Sequence, residues 1–203
     1  MSPKVVTLFF APTAQYVEAH ITELSPELAE RRVHRDWWTD ADLLGQFDPP
    51  PIDRHWNWNE IGVEHDGRLL AAEKVAILTG DQAVQGAMMI STEAVQSVLT
   101  PGSGALFVEL LFTAPRNRPA LRRDGKAYFQ GVGLKLLAWA AWLSREKRQD
   151  GRLLLHGSPD FIAWYEKRGL QKLEMKPIVF EGVAYTPMEL PALAARRLLK
   201  ELK

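Results

Sequence analysis

Apolar positions along the chain fall into short clusters separated by turn residues, with two longer helical stretches. Val5-Val6-Thr7-Leu8-Phe9-Phe10 is β-branched and aromatic and stops at Ala11-Pro12, which predicts a strand. Thr13 is placed to cap a helix carrying Tyr16, Val17, His20 and Ile21 on one side. Ser25-Pro26-Glu27-Leu28 predicts a second helix reaching about Val33, with serine as cap and proline at the first helical position. Leu69 to Leu78 and Ala83 to Ile90, joined by Thr79-Gly80-Asp81, read as a hairpin. Gly104 to Thr113 reads as a largely buried strand that carries one carboxylate, Glu109, and ends at Pro115. Gly131-Val132-Gly133 opens a helix from Leu134 to about Lys147, apolar nearly all round as far as Leu143. Leu153-Leu154-Leu155 is a short buried strand; Asp160 caps a helix through Arg168, and Gly169 ends it in the left-handed conformation. Ile178 to Phe180 and Val183 to Leu190 predict a last hairpin around Glu181-Gly182. The tail from Pro191 to Lys203 predicts a helix with leucines inward and Arg196, Arg197 and Lys200 outward.

The resulting order, β-α-α-β-β-β-α-β-α-β-β, is mixed α+β with a central, mostly antiparallel sheet. A length of 203 residues suits one domain, divided here into a variable segment 1–60, a core 68–190 and a closing helix 191–203. Residues 35–59 hold Trp37, Trp38, Trp56 and Trp58 and the stop Pro49-Pro50-Pro51. Such an aromatic stretch predicts an ordered excursion, since linkers are polar. Lys plus Arg equals Asp plus Glu, 25 each, which argues against a nucleic-acid partner. With no cysteine, disulfides, thiolate zinc sites and cysteine nucleophiles are excluded. No apolar run approaches the roughly 18 residues of a membrane span, and the start lacks the pattern of a signal peptide, so a cytoplasmic location is expected.

A strand, a loop and a glycine pair opening a helix suit an anion. The first helical amides have no partner in the chain, and the helix dipole favours negative charge there. A tight turn before a helix gives the same letters. The basic stretch Arg116, Arg118, Arg122, Arg123 and Lys126, against Asp124 alone, adds a means of steering a polyphosphate, although each side chain taken singly reads as solvated.

Tyr128-Phe129-Gln130-Gly131-Val132-Gly133-Leu134-Lys135 resembles the pyrophosphate-binding motif of the GNAT N-acetyltransferases, Gln/Arg-x-x-Gly-x-Gly/Ala at the start of a long helix. About 30 residues on, Asp160-Phe161-Ile162-Ala163-Trp164-Tyr165-Glu166-Lys167-Arg168-Gly169-Leu170 is similar to that family's second motif. Val108-Glu109-Leu110-Leu111-Phe112-Thr113 is similar to its fourth strand. The resemblance covers roughly residues 68–190. Tyr128 stands where the family has Gln or Arg, Ser158 stands where many members have Asn, and the loop before the helix is longer than usual.

The resemblance implies the GNAT fold, with its fourth and fifth strands splayed, and acetyl-CoA as cofactor. Leu111, Phe112 and Thr113 would meet the pantetheine arm, with the Thr113 N–H polarising the thioester carbonyl. The amides of Phe129, Gln130, Gly131, Val132, Gly133 and Leu134 would hold the pyrophosphate, and Ser158 would bond the arm. The implied reaction is acetyl transfer to a primary amine of a small molecule or protein, by direct attack in a ternary complex.

Such transfer needs a base for the ammonium and an acid for the thiolate. Glu109, a charge in an apolar strand, is the candidate base; a solvent-facing or arginine-paired carboxylate is the alternative. Tyr165 is the candidate acid, with a packing role as its alternative. His55, Trp56 and Trp58 either line an acceptor pocket or, as the favoured reading, belong to a packed cluster, the two tryptophans sharing one strand face. Trp139 and Trp142 read as core, with a subunit contact left open, so a homodimer is an open expectation. His156 reads as a hydrogen-bonded structural histidine within reach of the site. The five histidines show no metal-ligand spacing, and no Gly-x-Ser-x-Gly elbow is present, so no metal is expected. A CoA-binding module without turnover is the alternative function.

Overall fold

In a computed structural model the described residues are 4–39 and 51–202. In chain order they form β1 (Lys4–Phe10), β2 (Gln15–Glu23), a helical turn α1 (Pro26–Leu28) continued by π-type (Ala29–Arg35) and 3-10 (Asp36–Trp38) turns, and a 3-10 turn at Ile52–His55. Then come β3 (Val63–His65), β4 (Arg68–Leu70), β5 (Ala72–Thr79), β6 (Val84–Gln96), β7 (Gly104–Thr113) and 3-10 turns at Pro115–Asn117 and Pro119–Leu121. The remainder is β8 (Phe129–Gln130), α2 (Val132–Glu146), β9 (Leu153–Gly157), α3 (Ile162–Glu166), β10 (Gln171–Lys172), β11 (Ile178–Phe180), β12 (Val183–Leu190) and α4 (Ala192–Leu198).

The strand order in the main sheet is β10-β12-β9-β7-β6-β5-β2-β1-β8, and β11 pairs β12. The β1–β2, β2–β5, β1–β8, β9–β12 and β10–β12 ladders are antiparallel and β7–β9 is parallel. This is the mixed α+β sheet that the sequence predicts. The chain divides into two compact units, one of Met1–Gly62, Lys74–Met88 and Leu111–Leu136, the other of Val63–Glu73, Met89–Leu110 and Leu137–Lys203.

In the first unit two expectations fail. The segment read as a helix after Thr13 is strand β2, paired with β1 from Lys4↔Ile21 to Phe10↔Gln15. Its inward positions are Val17, Ala19 and Ile21, a period of two, with Ala19 and Ile21 fully buried. The turn between the strands takes Ala14 at φ 53°. Ser25 does cap the next helix, its Oγ accepting the Leu28 N–H at 3.3 Å. Trp37 and Trp58 fill the space below it with ring centroids 6.5 Å apart, and Trp37 Nε1 donates to the Val84 carbonyl at 2.9 Å. His34 Nε2 accepts the Trp58 N–H at 3.0 Å, which leaves the ring proton on Nδ1, 2.9 Å from Glu30. Lys74 Nζ donates to the Trp58 carbonyl at 2.6 Å. Neither Trp56 nor Trp58 lies in a strand, so they share no strand face; Trp58 is fully buried, Trp56 half-buried. Pro49 and Pro50, part of the predicted stop, lie outside the described residues.

In the second unit Leu106, Phe107 and Val108 of β7 meet Leu153, Leu154 and Leu155 of β9, all buried. Trp139 is buried to 1% exposure on α2. Glu189 of β12 is fully buried, its carboxylate accepting from Ser97 Oγ (2.6 Å) and the amides of Val98 (2.8 Å) and Leu99 (3.0 Å). Three such donors satisfy a buried carboxylate without a cation. The β11–β12 hairpin turns at Glu181-Gly182, both at positive φ, as a two-residue hairpin turn of the primed type requires. The helix read as capped by Asp160 begins instead at Ser158, extended at ψ 153°, with a 3-10 turn (Pro159–Phe161) ahead of α3. Gly169 takes φ +93°, as expected.

Candidate active site

Within the second unit the β7–β9 ladder runs from Leu106↔Leu153 to Val108↔Leu155 and stops, although β7 continues and β9 runs on to Gly157. Glu109 is the first residue past the end. It is half-buried, and its Oε2 is buried with no hydrogen-bond partner among the described residues. Burial pushes its carboxyl up to about 7; the Glu64 backbone N–H, bonded to it, pulls the other way, and the Glu64 charge adds to the rise. Phe107, two residues earlier on the same strand face, stands between His65 and His156, edge-on to each at 4.9 and 5.1 Å. His156 lies in β9, packed on Phe107, and the hydrogen bond expected of it is not found among the described residues; burial, helped by the His65 charge, brings its pKa down to about 4. His65 Nδ1 lies 3.3 Å from Asp66.

Tyr165 of α3 lies over the end of β9. A Cβ added at Gly157 would come within 3.4 Å of Tyr165 Cδ2 and 3.0 Å of Ile162 Cδ1. Burial pushes the Tyr165 hydroxyl up to about 12. Ser158 follows Gly157; its carbonyl accepts the Phe161 N–H at 3.0 Å and its hydroxyl makes no cap bond.

The first unit holds the glycine loop. Gly131 is at φ +88° with open space where a Cβ would stand, and its carbonyl accepts the Lys135 N–H at 2.9 Å. Gly131 is thus the residue before the first turn of α2, and the amides of Val132, Gly133 and Leu134 are first-turn amides without a helical partner. Two of the expected donors sit elsewhere. Phe129 and Gln130 form β8 against Phe10 and Phe9 of β1, and the Phe129 N–H is committed to Asn117 Oδ1 at 2.9 Å. That amide therefore drops out of the anion-binding set. Gly86 lets the helix start close: a Cβ there would lie 2.6 Å from Val132 Cγ1 and 3.0 Å from the Phe112 carbonyl.

Sequence reasoning missed what ties down the long loop. Buried Asn117 donates to the Gln85 carbonyl (3.0 Å) and Oε1 (3.1 Å), and Gln85 donates to Thr79 Oγ1 at 2.9 Å. Arg116 Nε adds a bond to Gln85 Oε1 at 3.2 Å. Most of the basic stretch is likewise engaged. Arg118 pairs with Asp53 and donates from Nε to the Thr113 carbonyl at 2.7 Å; Arg122 forks onto Asp124 at 3.0 Å and lies 4.2 Å over the Tyr128 ring. Arg123 and Lys126 are exposed. Leu111, Phe112 and Thr113 are half-buried at the end of β7, and the Phe112 ring meets Trp56 edge-on at 4.8 Å. The 116–118 residues carry no periodic signal that would announce these partners.

Among the described residues no His, Asp and Glu group could hold a metal ion, and no helix is long and apolar enough to cross a membrane. No family model matches the chain, and no curated protein matches it in sequence. Solved structures do match. A chimera built on the spermidine N-acetyltransferase of Vibrio cholerae superposes with TM-score 0.52 at 12% identity, over 88% of this chain and 98% of that one. A candidate N-acetyltransferase from Lactobacillus plantarum gives TM-score 0.51 at 14% identity, over 84% of this chain and 96% of that one.

Proposed function

Because the chain has the fold of the GNAT N-acetyltransferases, we propose that it transfers an acetyl group from acetyl-CoA to a primary amine by direct attack in a ternary complex. The observation that carries this reading is Glu109, a carboxylate in an apolar strand with one oxygen unpartnered and a pKa of about 7. A base that titrates near the working pH is half deprotonated there and still strong enough to take a proton.

The residues fit the donor. Open space at Gly131 and the first-turn amides of Val132, Gly133 and Leu134 suit a pyrophosphate, and the residues past the end of the β7–β9 ladder suit an extended arm. Bound acetyl-CoA supplies a thioester carbonyl as electrophile. Glu109 takes a proton from the incoming ammonium. The Thr113 N–H donates to the carbonyl oxygen as charge builds there. Tyr165, at about 12, is a weaker acid than a thiol at about 8.5. It therefore would steady the departing sulfur by a hydrogen bond and keep its proton, and the sulfur would take up the second proton, which the attacking nitrogen must lose to become an amide.

That same Tyr165 shift favours a second reading, a CoA-binding module without turnover. Thermal unfolding with and without acetyl-CoA, on wild type and Gly131→Glu, tests the donor site. Ligand at about 100 times its Kd adds roughly 2.7 kcal/mol, and the folded variant should lose that gain. No gain in wild type at millimolar ligand removes both readings. A gain without transfer to any amine leaves the module.

A further inference from the structure

The β11–β12 hairpin of the second unit carries apolar side chains that the proposed chemistry leaves unused. Ile178, Val179 and Phe180, the whole of β11, are 49%, 68% and 49% exposed, and Met175 just ahead of them is 48% exposed. Consecutive strand residues point to opposite faces. Val179 and its cross-strand partner Ala184 are therefore exposed on one face, and Ile178 and Phe180 on the other, beside half-buried Tyr185 and Val183. A run of exposed apolar residues on both faces of a strand marks a contact surface.

β11 is also an edge. Among the described residues it pairs β12 alone. Phe180 and Val183 flank the two-residue turn and so exchange both hydrogen bonds, and bonded and unbonded pairs then alternate along the ladder. Val179 and Ala184 are thus an unbonded pair, and the N–H and carbonyl of Val179 point to the open side. Pro177, the next residue back whose N–H would point that way, has none, so pairing along this edge stops there. The ends of the strand differ in sign: Lys176 precedes it and Glu181 follows it, both exposed. Such an edge complements a second copy of itself running antiparallel. About a two-fold axis at Val179, the two Val179 residues exchange both bonds, and Ile178 of each copy meets Phe180 of the other, a β-branched–aromatic pair. Each Lys176 comes within one residue of standing opposite the other copy's Glu181. A parallel approach would set like charge against like.

We propose that β11 is the pairing edge of a homodimer, in which two copies of this chain join their β11–β12 hairpins into one four-stranded antiparallel ribbon centred on Val179. The pairing does not rest on the acetyl-transfer reading above. A three-residue strand makes a small interface of the transient class, so the dimer forms reversibly as concentration rises.

Sedimentation equilibrium of the full chain tests this. The weight-average mass should rise from that of one chain toward that of two as concentration is raised through the micromolar range. Val179→Pro removes the outward N–H and no bond to β12. With circular dichroism unchanged, it should weaken association at least about tenfold, because each dimer loses two hydrogen bonds. Lys176→Glu should weaken association about fivefold at low salt, and Lys176→Glu combined with Glu181→Lys should restore it. That charge exchange decides the matter even where Val179→Pro disturbs the hairpin. The mass of a single chain at every concentration up to about 1 mM overturns the proposal. So does wild-type affinity in folded Val179→Pro or in Lys176→Glu, which would place the interface elsewhere, and so does a charge exchange that fails to restore association. None of these measurements involves acetyl-CoA, so their failure and the failure of acetyl transfer are told apart.

Discussion

Arg118 grips Asp53, 65 residues earlier in the chain, through both terminal nitrogens, and with its Nε holds the carbonyl of Thr113 at 2.7 Å. The Asp53 side chain is 2% exposed and that of Arg118 15%. One side chain thus fixes both the 3-10 turn Ile52–His55 and the peptide that follows Thr113, whose N–H at Ala114 is in turn bonded to the Gln85 carbonyl at 2.8 Å.

Breaking such a pair leaves a charge with little water and no partner. Asp53→Asn should lower stability by about 3 kcal/mol in urea denaturation. Replacing both partners with apolar residues of similar size should cost clearly less, because no charge is then stranded. A single variant as stable as wild type would mean that the pair is solvated.

In the proposed reaction Glu109 would tie rate and stability to the same titration. The rate should rise with pH through about 7 in wild type, and Glu109→Gln should lose that inflection and about 10²-fold or more in kcat. The folded-state pKa lies above the ordinary 4.5, so the stability that Glu109 contributes is complete below 4.5 and is lost as pH rises through about 7. Glu109→Gln should therefore gain on wild type above pH 7, by about 2 kcal/mol once partial exposure is allowed for, and not at pH 4. His156 acts in the opposite sense. Burial, helped by the His65 charge and opposed by that of Asp66, depresses its pKa from 6.5 to about 4, so its contribution is present above 6.5 and lost as pH falls through 4. His156→Phe should flatten the acid limb of a melting-temperature profile.

A tyrosine that ionises near 12 gives no basic limb in the working range. Tyr165→Phe should lower kcat by about tenfold, the worth of one hydrogen bond to a charged atom, with the pH profile unchanged in shape up to pH 10. A basic limb that disappears in the variant would restore Tyr165 as a true proton donor.

Gly131 and Gly86 serve the same helix start for different reasons. Gly131→Ala meets no atom but must hold φ +88°, at about 1–2 kcal/mol. Gly86→Ala keeps an ordinary backbone and would meet Val132 Cγ1 at 2.6 Å, at about 1–3 kcal/mol of overpacking. Calorimetry separates them from binding: Gly86→Ala should also weaken acetyl-CoA by pushing the first turn of α2 aside.

Much of this architecture is local and therefore legible. The β7 span, the Glu181-Gly182 turn and the glycine opening of α2 follow from residue type and position alone. Strand β2 was hidden because its inward set includes Ala19, a small residue that signals neither period, while Tyr16, Val17, His20 and Ile21 happen to share a helical face. The residues of the proposed site are legible where backbone amides would do the binding. The contacts that tie down the loop before α2, Asp53 with Arg118 and Gln85 with Asn117, join residues 65 and 32 apart in sequence, and nothing in their local pattern points across that distance.

Strands that part company after Val108 and Leu155 leave a signature in the time domain. Amides in the middle of a sheet exchange with solvent only when the sheet opens. Those of Glu109 and Leu110 that face β9 have no ladder to open, so they should exchange in an early, fast phase, flanked by slow neighbours at Leu106 and Leu153. An extended ligand lying there as a substitute strand would merge that fast island into its surroundings, and its loss of exchange would mark the arm's path residue by residue.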